Sequence, residues 1–169
     1  MQAPSFPTDD TFSRFSSTLQ ASGVRAALAH LLGLTDYRFI GIFRFDGDRA
    51  NAAVFFDREN PEVQHLDEVP ADATYCCYVR DSGGVFTTAN ALLDKRLKGH
   101  AAQATVLSYC GVPVMDSAGT LMGTLCHYDL VPRDPAQIDM ALMLRVASQL
   151  AYGQHVPPYP QPAAKRPSN

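Results

Sequence analysis

The sequence predicts an α+β fold in which helices from both ends of the chain cover one face of a central, mainly antiparallel sheet. Two pairs of segments rich in aromatic and β-branched residues are each joined by a short turn, which is typical of hairpins. Amphipathic helical patterns precede the first pair and follow the second. Because hairpins pair antiparallel, both terminal patterns can pack on one face, and the middle segments then cross the other.

Two short amphipathic helices are predicted before the first strand. The first follows a Thr-Asp-Asp start, and Phe12, Phe15 and Leu19 recur along it at helical spacing. Ser22 is expected to cap the second helix, and Gly33 is expected to end it. The first hairpin comes next, where an aromatic run is followed by the turn signal Asp46-Gly47-Asp48.

The middle of the chain is predicted to contain short elements. Residues 72–80 could form one strand or about two helical turns, and a helix is favoured because Ser82-Gly83-Gly84 follows as a stop. Residues 85–88 have the composition of a strand. Asp94 can cap a short helix over residues 95–100.

The second hairpin and the last helix have the clearest local signals. Residues 107–115 and 120–128 flank Asp116-Ser117-Ala118-Gly119, which suits a type I turn with a glycine where a positive φ is needed. Asp134-Pro135 is typical of a helix start, and a period of four in apolar residues continues to Gly153. The order of elements therefore fits the predicted α+β fold.

The chain length of 169 residues predicts one domain over residues 11–153. Residues 1–10 are expected to be an N-terminal extension, and the proline-rich residues 154–169 are expected to be a disordered tail. The net charge of -3 argues against nucleic acid as a partner, and no apolar run suggests a membrane span. A cytoplasmic, bacterial type of protein with reduced cysteines is expected.

Two groups of residues carry a resemblance to a known family. The second hairpin contains Tyr109-x-Gly111-Val112-Pro113-Val114, then Asp116-x-x-Gly119-x-x-x-Gly123-Thr124-Leu125-Cys126-x-x-Asp129, then Pro132-Arg133. The upstream group contains Thr74-Tyr75-Cys76 and Asn90-Ala91-x-x-Asp94-x-Arg96-Leu97. Over residues 12–152 the chain resembles the GAF domains, in the sensory subtype found in bacterial sensor kinases and cyclic-dinucleotide enzymes.

The resemblance implies a stand-alone GAF domain that binds a small molecule and signals through its terminal helices or a dimer. Short helices and loops would then cover a small-molecule pocket on the second face of the sheet. A homodimer through the terminal helices is expected, with Met140, Met143 and Leu144 as apolar surface, and a partner signalling protein is a further possibility. The resemblance leaves the ligand and any cofactor unknown, and Asn90 stands where the family usually has an aspartate.

Strand alternation separates the residues of the second hairpin into two faces. Thr124, Cys126 and Tyr128 share a face opposite Leu125 and His127. The leucine and valine face suits the terminal helices, so the other face is expected to line the pocket. The candidate ligand-binding residues are Tyr75, Cys76, Tyr78, Asn90, Asp94, Thr124, Cys126 and Tyr128.

The sequence gives less support to metal, bilin or thiol chemistry than to ligand binding. No catalytic or metal-binding residue is predicted, because the histidines are scattered singly and Cys126 and His127 point to opposite faces. Bilin attachment through the Cys126-His127 pair is disfavoured because the pair falls inside a strand. The main alternative is a thiol-dependent enzyme similar to the free methionine-R-sulfoxide reductases, which are also GAF domains. Cysteine-to-serine substitutions separate this alternative from the sensory function.

Overall fold

The computed structural model describes residues 7–161. Within that range the helices are α1 Pro7–Ser22, α2 Val24–Leu32, α3 Cys76–Ser82 and α4 Met140–Tyr152. The strands are β1 Phe39–Asp46, β2 Arg49–Asp57, β3 Val69–Pro70, β4 Phe86–Thr88, β5 Ser108–Met115 and β6 Leu121–Asp129. They form one sheet in the order β3-β2-β1-β6-β5-β4 with every neighbouring pair antiparallel. The predicted α+β fold is confirmed.

Both predicted hairpin turns are present. Asp46 pairs with Arg49, which leaves a two-residue turn where Gly47 adopts a φ of 58°. In the second turn the Asp116 carboxylate accepts hydrogen bonds from the backbone amides of Ala118 and Thr120, both at 2.9 Å. Gly119 closes that turn at a φ of 79°, a conformation that favours glycine. The short helix α3 is also confirmed, and Gly83 ends it in the left-handed region.

The sheet separates two apolar cores. The first lies between the sheet and helices α1, α2 and α4, and the sheet contributes alternate residues such as Val112, Val114 and Leu125 to it. The second lies on the opposite face, under α3 and the turns near residues 91–106, and contains Tyr109 and Cys126. The predicted assignment of the two faces of the second hairpin is therefore confirmed.

The boundaries of two helices differ from the prediction. Asp134 caps only a 3-10 turn over Pro135–Gln137, and α4 begins six residues later with Asp139 accepting a hydrogen bond from the Leu142 amide at 3.0 Å. Extended backbone at Ile138 separates the two segments. Helix α2 follows Gly23, at a φ of 91°, and has no side-chain cap, so the expected cap by Ser22 is wrong.

The described chain beyond α4 contacts the rest of the domain at Val156, Pro157 and Tyr159. Although residues 154–169 are predicted to be a disordered tail, Val156 belongs to the first core and Arg44 donates a hydrogen bond to the Pro157 carbonyl at 2.8 Å. The Tyr159 hydroxyl donates to Glu68 at 2.8 Å. Residues 162–169, and residues 1–6 of the predicted N-terminal extension, lie outside the described part of the chain.

The surface of α4 only partly matches the expected dimer surface. Met143 is 5% exposed and belongs to the first core, and Met140 packs against that core. Leu144 is 42% exposed, and Tyr152 is also exposed near the end of the helix. From residue 7 to residue 161, no helix is both long and apolar enough to cross a membrane.

Candidate functional site

A cavity of about 150 Å³ lies on the face of the sheet opposite the terminal helices. We call it the aromatic cavity, because four of its lining residues are Phe43, Tyr75, Tyr109 and Tyr128. Two thiols, three alanine or valine side chains and one threonine complete the lining: Cys76, Cys126, Ala73, Ala102, Val106 and Thr74. The sheet forms its floor, and the start of α3 and the turn at 100–106 form its walls.

Glycines of the sheet shape the floor of the aromatic cavity. Cys126 lies on β6 between Gly41 of β1 and Gly111 of β5, so neither neighbouring strand places a side chain beside its thiol. A Cβ atom at Gly111 would overlap the ring and hydroxyl of Tyr109. The glycine two residues after Tyr109 therefore allows that ring to lie over the strand and to reach Cys76.

Cys76 is the centre of a buried hydrogen-bonded group. Its Sγ accepts hydrogen bonds from the Thr124 hydroxyl at 3.1 Å and from the Tyr109 hydroxyl at 3.3 Å. A hydrogen bond from Cys126 lowers the pKa of Cys76 below its usual range, and the hydrogen bonds from the two hydroxyls lower it further. Burial acts in the opposite direction but is the smaller effect. Burial raises the pKa of Cys126. Cys76 is therefore the more acidic of the two thiols, because it accepts the hydrogen bonds of the group.

The structure places the eight predicted ligand-binding residues in three groups. Tyr75, Cys76, Cys126 and Tyr128 line the aromatic cavity. Thr124 lies directly behind it, since its hydroxyl donates to Cys76. The other three, which are Tyr78, Asn90 and Asp94, are not among the lining residues.

Those three residues have structural contacts elsewhere. Tyr78 stacks on Phe86 with ring centroids 4.7 Å apart. Asn90 and Asp94 each cap a 3-10 turn, and Asp94 also forms an ion pair with Arg96 at 2.6 Å. The Arg96 hydrogen bond is the main reason that the pKa of Asp94 is lowered to about 2.

Sequence reasoning missed Phe43 and Tyr109 as cavity residues. Alternation along β5 could have found Tyr109, because Tyr109 and Gly111 share a face and Gly111 pairs with Cys126. No comparable local signal existed for Phe43, whose position follows from the pairing of β1 with Thr124 of β6.

His127 faces away from the aromatic cavity. It lines a second cavity, of about 180 Å³, between β6, the end of α2 and the first turn of α4. The side chain is 1% exposed, and its Nε2 has no hydrogen-bond partner among the residues described. Burial, with a smaller effect of Arg58, lowers the pKa of His127 to about 3. Cys126 and His127 therefore lie on opposite faces of the sheet, as alternation predicts.

Comparison with solved structures places this arrangement among known folds. The GAF domain of an Acinetobacter phosphoenolpyruvate-protein phosphotransferase superposes with a TM-score of 0.68 over 88% of this chain and 92% of that one, at 18% identity. The protein has the GAF fold. The same GAF fold relates it to the free methionine-R-sulfoxide reductase of Neisseria meningitidis, with a TM-score of 0.59 over 87% of each chain at 17% identity.

Comparison of sequences gives a shorter match. A cyclic di-GMP phosphodiesterase of Pseudomonas aeruginosa is 31% identical over 82 residues, which are 46% of this chain and 14% of that protein. No protein-family model matches the sequence. Within residues 7–161, no three histidine, cysteine, aspartate or glutamate side chains converge as metal ligands would. The features of this chain that bear on its function are thus the GAF fold and the aromatic cavity.

Proposed function

We propose that this GAF domain is a sensory or regulatory module that binds a small molecule in the aromatic cavity. The observation that carries the proposal is the cavity itself, which combines ring faces with buried hydrogen-bonding groups on the face of the sheet away from the terminal helices. Concave, mostly apolar sites with a few convergent polar groups are the usual places of small-molecule binding, although this cavity is smaller than most of them. The family resemblance of the second hairpin supports the same function.

The two faces of β6 offer a route from the cavity to the terminal helices. Cys126 contacts the cavity, whereas the adjacent Leu125 belongs to the core under α1, α2 and α4. A ligand that displaces β6 would therefore shift the packing of those helices. Helices α1 and α4 also contact each other, since Gln149 donates to the Ser16 hydroxyl at 2.9 Å. We infer that the signal passes through these helices, to a second copy or to a partner protein.

Filling the aromatic cavity should abolish ligand binding. Ala102 lines the cavity, so Ala102→Trp is expected to occupy it, while Ala118→Trp places the same side chain in the exposed turn of the second hairpin. The measurement is equilibrium dialysis of each protein against a low-molecular-weight cell extract, followed by mass spectrometry of what the protein retains. We expect the wild type and Ala118→Trp to retain one common molecule and Ala102→Trp to retain at least tenfold less. Retention that is equal in all three proteins would contradict the proposal.

A thiol-dependent reductase is the second candidate, and the Cys76–Cys126 pair is the observation that favours it. In such a reaction the sulfoxide oxygen would leave as water while the two thiols lose their protons and become a disulfide. Both thiols are at most 2% exposed, and no positively charged side chain lines the cavity to receive the carboxylate of a free amino acid. These features favour the sensory function.

An activity assay separates the two candidates. With free methionine-R-sulfoxide, thioredoxin, thioredoxin reductase and NADPH, we expect the wild type to oxidise NADPH no faster than Cys76→Ser does. Wild-type turnover that Cys76→Ser abolishes and Cys110→Ser retains would establish the reductase instead. Cys110 is the matched control because it is equally buried but lies in the core on the other face of the sheet.

A further inference from the structure

We propose that the ligand of the aromatic cavity is an uncharged molecule built on a single aromatic ring, with an oxygen that accepts a hydrogen bond from Tyr128. This inference rests on the proposed function, because it names the class of ligand for the same cavity. It follows from four properties of the cavity: its volume, the absence of charge in its lining, its ring surfaces, and the hydrogen bonds that three of its four hydroxyl groups already donate within the protein.

The volume sets the size of the ligand. An engineered apolar cavity of about 150 Å³ holds one benzene molecule, and the aromatic cavity has about the same volume. A cyclic dinucleotide, a bilin or a haem is several times larger and would require α3 or the turn at 100–106 to move away from the sheet. The cavity as it stands accepts one ring with a small substituent.

The lining excludes a charged ligand. None of the lining side chains is a lysine, arginine, histidine, aspartate or glutamate. A charge that is buried without a partner costs much more free energy than a neutral group of the same shape. Arg38 and Asp57 are the charged groups that act on Tyr128, but both lie outside the lining and form an ion pair with each other at 3.0 Å. A phosphate or carboxylate would therefore find no unpaired counter-charge among the lining residues.

The ring surfaces favour an aromatic ligand. The rings of Tyr75 and Tyr109 meet edge to face, with centroids 5.7 Å apart and planes at 81°. Tyr128 stacks on Phe39 at 4.7 Å and meets Phe43 edge to face at 6.1 Å. Rings held by their neighbours in this way present fixed faces and edges, which suit the offset and edge-to-face packing of another ring.

The hydroxyl groups determine the polar contact. Tyr75 and Thr74 each donate to a backbone carbonyl at 2.8 Å, and Tyr109 donates to Cys76. The Tyr128 hydroxyl makes no hydrogen bond to any other residue in the described range, so among the lining hydroxyls it retains a free proton. A ligand that fills the cavity gains most if it offers an acceptor oxygen to this hydroxyl.

The test uses phenol and toluene, which have the same shape but differ in the acceptor oxygen. Their binding to the full chain is measured by calorimetry or by ligand-observed NMR, for the wild type, for Tyr128→Phe and for Tyr78→Phe. We expect Tyr128→Phe to weaken phenol binding about tenfold and to leave toluene binding unchanged, as the loss of one hydrogen bond predicts. Tyr78→Phe removes a hydroxyl outside the cavity and should change neither.

Charged and larger probes complete the test. Benzoate and cyclic di-GMP are expected to bind at least tenfold more weakly than phenol, and Ala102→Trp is expected to abolish phenol binding. Stronger binding of benzoate or cyclic di-GMP, removed by Ala102→Trp, would overturn the ligand class but leave the proposed function standing. Equal loss of phenol and toluene in Tyr128→Phe would overturn the role of the hydroxyl. If no probe binds but the dialysis experiment finds a retained molecule, the proposed ligand class is wrong. If neither the probe measurements nor the dialysis experiment finds a ligand, the proposed function fails as well.

Discussion

Replacing Asp129 by asparagine should lower the free energy of unfolding by about 3 kcal/mol. The carboxylate is 3% exposed and connects three segments of the chain. One oxygen accepts from the Arg38 amide at 3.1 Å and from the Arg133 guanidinium at 2.8 Å, and the other accepts from the Leu130 amide at 2.7 Å. The NH2 group of asparagine would face one or more of these N–H donors, and those buried donors would lose their hydrogen-bond acceptor. The motif residues Asp129 and Arg133 therefore stabilise the fold.

The measurement is the midpoint and slope of urea unfolding followed by circular dichroism. Asp116→Asn is the matched control, because it makes the same substitution in the same hairpin, where asparagine can also accept from turn amides. We expect it to change the free energy of unfolding by less than about 0.5 kcal/mol. If the two substitutions lowered the free energy of unfolding equally, the buried contacts of Asp129 would not be the source of its contribution to stability.

The parts of the fold that could be predicted are those fixed by local chemistry. The turns at Gly47 and Gly119 require positive φ, and the stop of α3 requires a left-handed residue at Gly83, so each is visible in a few adjacent residues. The start of α4 could not be fixed in this way. Asp134 and Asp139 are both suitable caps, and packing of the apolar face of the helix decides between them.

Contacts between residues far apart in sequence account for the other differences between the predicted and the observed structure. Pro157 and Tyr159 bond to Arg44 and Glu68, which are about a hundred residues earlier, so no local signal could predict these contacts. The same reason limits prediction of the site. Alternation along β6 correctly separates Cys126 and Tyr128 from His127, but Phe43 enters the cavity through the pairing of β1 with β6. Asn90 and Asp94 lie in the upstream segment that resembles the family, yet both cap local 3-10 turns and lie outside the lining.

His127 should make the stability of the protein fall as the pH is lowered from about 6.5 towards 3. The pKa of this buried histidine is about 3 in the folded protein, below the usual value of 6.5 for a histidine exposed to water. Above pH 6.5 both the folded and unfolded chains carry a neutral histidine, so it contributes no pH dependence. Below pH 6.5 the unfolded chain binds a proton that the folded chain does not, which favours unfolding by about 1.4 kcal/mol per pH unit.

His127→Gln isolates this effect because glutamine does not titrate. Urea unfolding of both proteins at pH 7.5 and pH 4.5 gives two losses of stability, and we expect the loss in the wild type to be larger by about 2.7 kcal/mol. Carboxylates such as Asp57 titrate in both proteins, so their contribution cancels in the comparison. Two charged groups act near the imidazole: Arg58 lowers its pKa further, and Asp139 lines the same cavity. Equal losses in the two proteins would mean that His127 takes up a proton in the folded state, and that its cavity then supplies water or a counter-charge.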